Sequence, residues 1–495
     1  MRSGVSVELH SGERYIIFAR VKIFLADIPA IKECIYCKGH AGIICCPMCL
    51  NAAHHAAKES IPWHVLTDQC VSTTTLDLTK FTKLTREVLH EIARRLSASY
   101  ADLQSGRITK DEFELQQKIR GWNYTPANVI LNPRFDLELP MIIMVDWAHV
   151  YVHDGLADVE FGLGMHTLQK HSKKGTGYTE LGNYVQLFTL PKSAPKVAHL
   201  FHEDKKHNNY KNKKFSSNGS EFLTLAPILH RYLAMVRSRG EQVDVIDSML
   251  ACLAVVMLLL ALKTGTVTAA TLNLAIITHL ALFHSVWGDT YIRPKHHYAL
   301  HLGPMLEYFG FLLATFTHER KHRLVTRYCR DRKNLTAWDM SAIEEITCHQ
   351  IWQLNLPFMQ TCHTSKPHGL IKISLEEAFP GLNAADLTLC SQINCNGGSC
   401  SPGDVVSFLA DGIQVGQLLV SVAYKKHDKW VTESIIARWK LQHELQASVK
   451  WATFNITGDD VIKIPTPVID TVLIWALAAN KASAQIYLPS ELRPV

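Results

Sequence analysis

The chain has 495 residues, of which 47% are hydrophobic and 19% charged. This composition is that of an ordinary globular protein and excludes an intrinsically disordered chain. At about 100–200 residues per domain, the length predicts two to four domains. The formal net charge is +6 with histidine neutral, a mildly basic balance that permits nucleic-acid binding without requiring it.

The first half of the chain alternates short strand patterns with helical segments. Two runs rich in β-branched and aromatic residues, 15–18 and 21–25, predict at least one strand that ends near Asp27. Residues 76–122 carry apolar residues at spacings of three and four, which is typical of amphipathic helices. A second apolar run, 139–145, predicts another strand, and Asp146 follows it directly.

The second half is predicted to be helical and then β-rich. Residues 172–220 are polar and basic and predict an exposed excursion. The uncharged run 249–262 is shorter than the roughly 20 residues that span a bilayer, which favours a buried helix over a membrane segment. Short β-rich runs after residue 401 predict a small β-barrel of the SH3-like or BAH-like kind. The predicted blocks are a strand and cysteine region (1–50), a helical insertion (51–138), a further helical part (139–354), a linker (355–400) and a small β-rich domain (401–495).

Cysteine is distributed unevenly along the chain. There are 13 cysteines, and the motifs CIYC and CPMC begin at Cys34 and Cys46. The odd total, the clustering and the lack of an apolar core at the N-terminus favour reduced thiols and one metal site in an intracellular protein. A CxxC turn lets two thiolates meet one zinc ion at about 2.3 Å. Three interpretations fit this pattern. Both CxxC pairs bind one zinc ion, one pair binds zinc with ligands from elsewhere in the chain, or the cysteines are buried apolar residues without a metal.

A histidine pair supplies possible partners for the thiols. In PKHHYALH, His297 and His301 are four residues apart and face the same side of a helix. This is a common spacing for two imidazole ligands of zinc. Such a pair is also expected by chance among 26 histidines, and a surface cluster is the simpler interpretation of the pair alone. Cys45 is adjacent to the CPMC pair and His296 to the histidine pair, so the identity of the four zinc ligands stays open.

Three carboxylates occupy positions suited to metal chemistry. Asp27 and Asp146 each follow a predicted strand, and Glu319 lies in a basic, helix-like stretch. Isolated acids are usually solvated or paired with a cation. Carboxylates at strand ends and on a neighbouring helix, however, are the groups with which two-metal nucleases hold Mg²⁺.

The order of these motifs resembles that of a DDE transposase of the CACTA/EnSpm type. The elements of the resemblance are LADIPA, KGHAGIICCPMC, DWAH, PKHHYALH and HERKHR, and together they cover residues 14–335. The resemblance implies an α/β chain with a partial RNase H-like core, a large helical insertion and the small C-terminal β domain. It implies that one structural Zn²⁺ ion is bound by Cys46, Cys49, His297 and His301.

The resemblance also assigns catalytic roles. It makes Asp27 the second and Glu319 the third carboxylate of the catalytic triad, and Asp146 and His149 the DxxH pair near the DNA. An alternative assignment makes Asp146 the second carboxylate. An active enzyme of this type would use Mg²⁺ or Mn²⁺.

The sequence departs from the family pattern at the first triad aspartate. That residue is expected well upstream of Asp27, but only 26 residues precede Asp27, with Glu8 and Glu13 as their only acids. Losing one of three metal ligands removes most metal-ion catalysis. We therefore expect a transposon-derived, DNA-binding protein that is catalytically incompetent.

Partners and location follow from the same resemblance. The lysine run 205–214 and the basic stretch 318–333 suit phosphate binding, although a solvated loop explains the former equally well. We expect a DNA partner, a nuclear or otherwise cytoplasmic location, a possible homo-oligomer and no membrane association. The competing hypothesis is a non-enzymatic, zinc-stabilised protein that contacts proteins or chromatin through its β domain.

Overall fold

The helices and strands of the protein come from a computed structural model. It describes residues 5–8, 12–17, 22–54, 70–125, 138–171, 177–262, 265–315, 341, 344–348, 362–366, 375, 377–383, 386–395, 398–410, 412–427, 429–444, 451–456, 460–478 and 481–487. The helices are α1 (Ile28–Ile35), α2 (Arg86–Gln104), α3 (Lys110–Arg120), α4 (Leu139–Ile142), α5 (Trp147–Tyr151), α6 (Leu156–His171), α7 (Gly177–Val185), α8 (Glu203–Asn212), α9 (Gly219–Arg237), α10 (Val243–Ala261), α11 (Ala269–Trp287), α12 (Pro294–Ala299) and α13 (Leu302–Phe309). The strands are β1 (Val5–Glu8), β2 (Arg14–Ile17), β3 (Phe24–Ala26), β4 (Ala52–Ala53), β5 (Val71–Ser72), β6 (Ile143–Val145), β7 (Cys362–Ser365), β8 (Thr388–Cys395), β9 (Gly398–Cys400), β10 (Val405–Leu409), β11 (Ile413–Lys426), β12 (Lys429–Glu444), β13 (Trp451–Asn455), β14 (Val461–Pro465), β15 (Ile469–Val472), β16 (Trp475–Leu477) and β17 (Ser483–Tyr487).

The chain combines helices and sheets, as an α/β chain requires, and divides into two compact units. The sequence predicted consecutive blocks, but these units interleave along the chain. The first unit consists of Met1–His171, His207–Gly219 and Leu233–Thr317. The second consists of Ser172–Lys206, Ser220–Tyr232 and His318–Val495.

A pair of short parallel strands organises the first unit. β3 pairs with β6, with Ala26 opposite Val145, so the carboxyl ends of both strands meet at one edge. Asp27 follows β3 and caps α1 by accepting the amide hydrogen of Ala30 at 2.7 Å. Asp146 follows β6 and caps α5 in the same way. The prediction of at least one strand that ends near Asp27 is confirmed by β3, and β2 lies within the first of the two predicted runs.

The helices between residues 86 and 212 confirm the sequence prediction in part. α2 and α3 confirm the periodic pattern of 76–122, and each begins with a threonine N-cap, Thr85 and Thr109. The predicted excursion at 172–220 differs from the structure, which contains α7 and α8 there. Gly, Ser and Asn have low helix propensity, which is why composition alone pointed to a loop.

Among the described helices, α10 and α11 are long and apolar enough to cross a membrane. Core helices of soluble proteins meet the same criterion, so length and composition alone do not identify a span. Half of the apolar window of α10 is buried in the protein, compared with 28% of that of α11. The buried helix predicted at 249–262 is therefore part of a longer, 19-residue helix, whereas α11 keeps a more exposed apolar side.

The second unit contains a large antiparallel sheet. Seven of its strands follow the order β15-β10-β11-β12-β13-β17-β16, while β14 pairs with β12, and β8 pairs with β11, β7 and β9. Strands therefore begin before residue 401, inside the segment predicted as a linker. The buried residues of β8, Cys390 and Ile393, are three apart, so its sequence does not show the simple alternation by which strands are predicted. Closure into a small barrel stays a prediction.

Close packing of α6 provides a test of the first unit. A side chain at Gly162 would overlap the backbone of Lys213 and Lys214, whereas one at Gly164 would meet only the flexible end of Met249. We expect Gly162→Ala to lower the free energy of unfolding by about 1–3 kcal/mol, since backbone has to move. Gly164→Ala is the matched control with a smaller loss. Urea denaturation of both variants measures the difference, and equal losses would contradict this account of the packing.

Candidate metal centre and adjoining cleft

The CPMC motif forms a buried turn in the first unit. Cys46 and Cys49 are 2% and 3% exposed. The backbone amide of Met48 donates to the Cys46 sulfur at 3.4 Å, and the amide of Cys45 donates to the carbonyl of Ala52 at 3.1 Å. The first of these bonds orients the Cys46 sulfur, and the second anchors the residue before it.

The histidine motif approaches this turn from a distant part of the chain. Pro294 begins α12, His297 lies within that helix, and His301 occupies the N-cap position of α13. The hydroxyl of Tyr298 donates to the carbonyl of Cys45 at 2.6 Å and ties the two segments together.

The four side chains converge with the spacing of a tetrahedral site. The ring nitrogen Nε2 of His301 lies 3.1 Å from Nε2 of His297, 3.4 Å from the sulfur of Cys46 and 3.5 Å from that of Cys49. Tetrahedral zinc with ordinary bond lengths separates two nitrogens by about 3.3 Å and a nitrogen from a sulfur by about 3.6 Å. All four ligand atoms lie within 4.8 Å of one another. The cluster therefore fits a structural zinc ion.

Burial controls the protonation of this cluster. It raises the pKa of the Cys46 thiol well above its ordinary value, Cys49 raises it further, and His301 acts in the opposite direction. Burial also lowers the pKa of His297 well below its ordinary value. Without a cation the Cys46 thiol holds its proton, so zinc binding releases that proton and its affinity falls at acid pH.

The structure decides between the alternative ligand sets. Cys34 is exposed. Cys37 is buried near Cys46, but its sulfur accepts the amide hydrogen of Gly39 at 3.4 Å and is not one of the four converging ligand atoms. Burial raises the pKa of the Cys37 thiol to about 12. Cys45 points its sulfur to the carbonyl of Ala52 at 3.6 Å. His296 packs against the ring of Phe283 and bonds the carbonyl of Arg293. Among the described residues, the CIYC pair therefore does not join the four-ligand cluster.

A second buried group, Glu160, Cys252 and His279, also brings metal-ligand side chains together. The imidazole Nε2 of His279 lies only 2.5 Å from a Glu160 oxygen, which is a hydrogen bond and too short for two ligands of one zinc ion. Ser248 donates to the other Glu160 oxygen, and the Tyr151 hydroxyl lies 3.2 Å from Nδ1 of His279. This group is a hydrogen-bonded network that joins α5, α6, α10 and α11.

The two strand-end aspartates line one cleft beside the zinc cluster. The cleft has a volume of about 570 Å³. Its polar lining consists of Asp27, His54, Asp146, His149, His153, Asp154, Arg293, Lys295 and Tyr298. The third predicted acid, Glu319, lies outside the described residues.

Asp146 and Asp27 differ in how fully their oxygens are engaged. One Asp146 oxygen lies 2.5 Å from both Nδ1 of His149 and the hydroxyl of Thr315. The other oxygen caps α5 by accepting the Ala148 amide hydrogen at 2.9 Å. Burial acts to raise the pKa of Asp146, but these hydrogen bonds outweigh it and hold the pKa below its ordinary value. Asp27 engages one oxygen with Ala30, which leaves its second oxygen without a hydrogen bond from the described residues.

Two cationic side chains next to the histidine pair, Lys295 and Arg293, line the cleft. The Lys295 ammonium donates to the carbonyl oxygens of Asp154 and His153, at 2.8 and 3.5 Å. Burial lowers the pKa of Lys295, although nearby Asp154 opposes this. Arg293 is exposed. Sequence reasoning missed both residues, although they lie within four residues of His297 in the motif RPKHH.

The lysine run at 205–214 is partly engaged within the protein. Lys206 pairs with Glu203 at 2.6 Å, and Lys214 pairs with Asp154 at 2.6 Å. These contacts support a structural role for part of the run. The basic stretch 318–333 lies outside the described residues.

Comparison with known proteins assigns no family to the chain. No protein-family model matches the chain, and no curated protein is significantly similar to it. The resemblance to transposases rests on the order of the motifs. The cluster of two cysteines and two histidines is consistent with it.

Zinc content tests the metal centre. We expect about one zinc ion per chain, lost in both Cys46→Ser/Cys49→Ser and His297→Ala/His301→Ala, because one tetrahedral site needs both pairs. Cys34→Ser/Cys37→Ser is the matched control and keeps its zinc. Plasma emission spectrometry of purified protein measures the metal, and circular dichroism reports the folding of each variant. Zinc lost from the cysteine variant but kept by the histidine variant would exclude the histidines as ligands.

A buried acid beside the cleft gives a pH test. Burial raises the pKa of Asp158 from 3.8 to about 7, with Lys214 opposing and Asp154 reinforcing the change. The folded state thus holds this proton more tightly, and the stability it contributes is full below about pH 4 and is lost as the pH rises to 7. Relative to Asp158→Asn, the wild type should lose at most about 1.4 kcal/mol per pH unit across this range. Urea denaturation at several pH values checks the slope, and a pH-independent difference would contradict it.

Proposed function

We propose that the protein binds nucleic acid in the cleft of its first unit, on an architecture like that of a DDE transposase. In this proposal, zinc bound by the two cysteines and two histidines fixes the cleft walls. Asp27 contributes to a Mg²⁺ or Mn²⁺ site, and Lys295 and Arg293 neutralise a phosphodiester. The RNase H-like character of the core is part of this proposal.

One observation carries the proposal. Asp27 and Asp146 follow two adjacent parallel strands and line the same cleft, into which the zinc-binding segment brings Lys295 and Arg293. A carboxylate beside two cations suits a divalent ion together with the phosphate that it contacts. A site for a neutral molecule would not require this combination of charges.

The charge balance of the cleft supports an anionic ligand. Asp146 is committed to His149, and Asp154 is paired with Lys214. Within the described part of the chain, Lys295 and Arg293 form no ion pair with a carboxylate. Their charge is therefore available to a phosphate group, and such contacts make affinity depend on salt.

The same contacts distinguish the two possible roles of Asp146. Its oxygens cap α5 and bond His149 and Thr315, which favours Asp146 as the residue that orients His149. Asp27 is then the metal-binding carboxylate of this edge.

Catalytic incompetence stays a prediction. Strand cleavage that requires Mn²⁺ and disappears in Asp27→Asn would contradict it.

Salt dependence of DNA binding tests the cleft. We expect the full-length protein to bind a fluorescent 30-base-pair duplex with an affinity that falls as salt rises. Lys295→Ala/Arg293→Ala should reduce the slope of log K against log salt by about 2, at about 0.9 per lost phosphate contact. Fluorescence anisotropy at several salt concentrations measures the slope.

Lys110→Ala is the matched control, since Lys110 is an exposed lysine of the same unit. It should leave the slope within about 1 of the wild type, because it removes at most one phosphate contact. Thermal unfolding of each variant confirms that the fold persists. Unchanged binding by the folded double variant would reject the cleft as the DNA site. Complete absence of DNA binding by the zinc-loaded protein would favour the interaction-protein hypothesis.

A further inference from the structure

The hairpin formed by β11 and β12 carries an uncommon group of side chains at its tip. His427, directly after β11, has a left-handed backbone with φ of 50°. Lys425, Lys426 and Lys429 are all exposed there. Lys426 lies opposite Lys429 in the strand register, and Lys425 lies opposite Trp430.

Opposed lysines are unfavourable within the protein itself. Like charges directly across an antiparallel pair repel. Successive strand residues point to opposite faces, so Lys425 shares the face of Trp430, whereas Lys426 and Lys429 oppose each other on the other face. None of the ion pairs formed by the described residues includes Lys425, Lys426 or Lys429. An anion bound at the tip would relieve this repulsion.

Trp430 adds an aromatic surface beside these charges. Its side chain is 53% exposed, whereas Trp439 of the same strand is 6% exposed. Ser434 and Ile436 alternate with the outward residues and are buried, so Trp430 continues the core-facing side of β12 beyond the core. The Lys425 ammonium lies 5.7 Å from the centre of the Trp430 ring, which leaves much of the indole open.

We propose that the tip of this hairpin binds single-stranded nucleic acid. The indole of Trp430 stacks on an unpaired base, and Lys425, Lys426 and Lys429 contact the flanking phosphates. Aromatic side chains next to cations form the general recognition surface for single strands, because every base presents a flat face. An acidic peptide would engage the lysines but offers no flat ring to cover the indole. Duplex DNA keeps its bases stacked and also leaves the indole uncovered.

This surface is independent of the cleft proposal. It lies in the second unit and uses none of the residues of the zinc centre. Each proposal can therefore fail without the other, since the cleft is probed with a duplex and the hairpin with a single strand.

Binding of a fluorescein-labelled 15-nucleotide oligothymidylate to the full-length protein tests the hairpin. Trp430→Ala should weaken binding by about 5- to 150-fold, the range for losing one base–aromatic stack, and Trp430→Phe should recover most of it. Replacing Lys425, Lys426 and Lys429 with alanine should reduce the salt slope by about 2, at about 0.7 per phosphate on a single strand. Anisotropy measures both quantities.

Matched controls separate this site from general charge effects. Lys440→Ala changes an exposed lysine at the other end of β12 and should leave binding unchanged, as should Lys295→Ala/Arg293→Ala. Circular dichroism confirms the fold of the hairpin variants. Equal binding by wild type and Trp430→Ala would overturn the proposal. So would displacement of the oligonucleotide by polyglutamate or anionic vesicles at matched charge concentration, since either would identify a purely electrostatic surface.

Discussion

The first unit depends on the meeting of two short segments that are far apart in the chain. Cys46 and His301 are separated by 255 residues, yet their ligand atoms are in contact within a buried cluster. Closing so long a loop is unfavourable, but the cost grows only slowly with loop length. A structural zinc ion contributes on the order of 10–16 kcal/mol to a folded site. That is enough to hold the two segments together against the entropy of the intervening chain.

The cleft follows from this junction. Asp27 begins the helix that leads to the cysteine turn, and Lys295 belongs to the helix that contains His297. Under the proposed function, zinc ligation sets the distance between the side of the cleft that carries Asp27 and the side that carries Lys295. The hydrogen bond from Tyr298 to Cys45 joins the same two segments.

The sequence predicted the parts of the site that have rigid spacing rules. The ligand pairs could be identified because zinc geometry restricts CxxC and HxxxH spacing, and Asp27 and Asp146 because each follows an apolar strand. The engagement of Asp146 with Thr315 could not be predicted, since it joins residues 169 apart through a tertiary contact. The strand β8 was missed because its sequence does not show the simple alternation by which strands are predicted. Glu319 stays a prediction, since the described residues do not include it.

The interleaved order of the first unit has a consequence for synthesis on the ribosome. A nascent chain that has just produced Cys46 and Cys49 lacks both histidine partners. At about 5–20 residues per second, the 255 residues up to His301 take on the order of 10–50 s to translate. Throughout that interval the two thiols remain open to oxidants and to competing thiophilic ions. If the cluster binds zinc as proposed, the zinc and thiol balance of the cell during translation bears on how much of the protein acquires its metal.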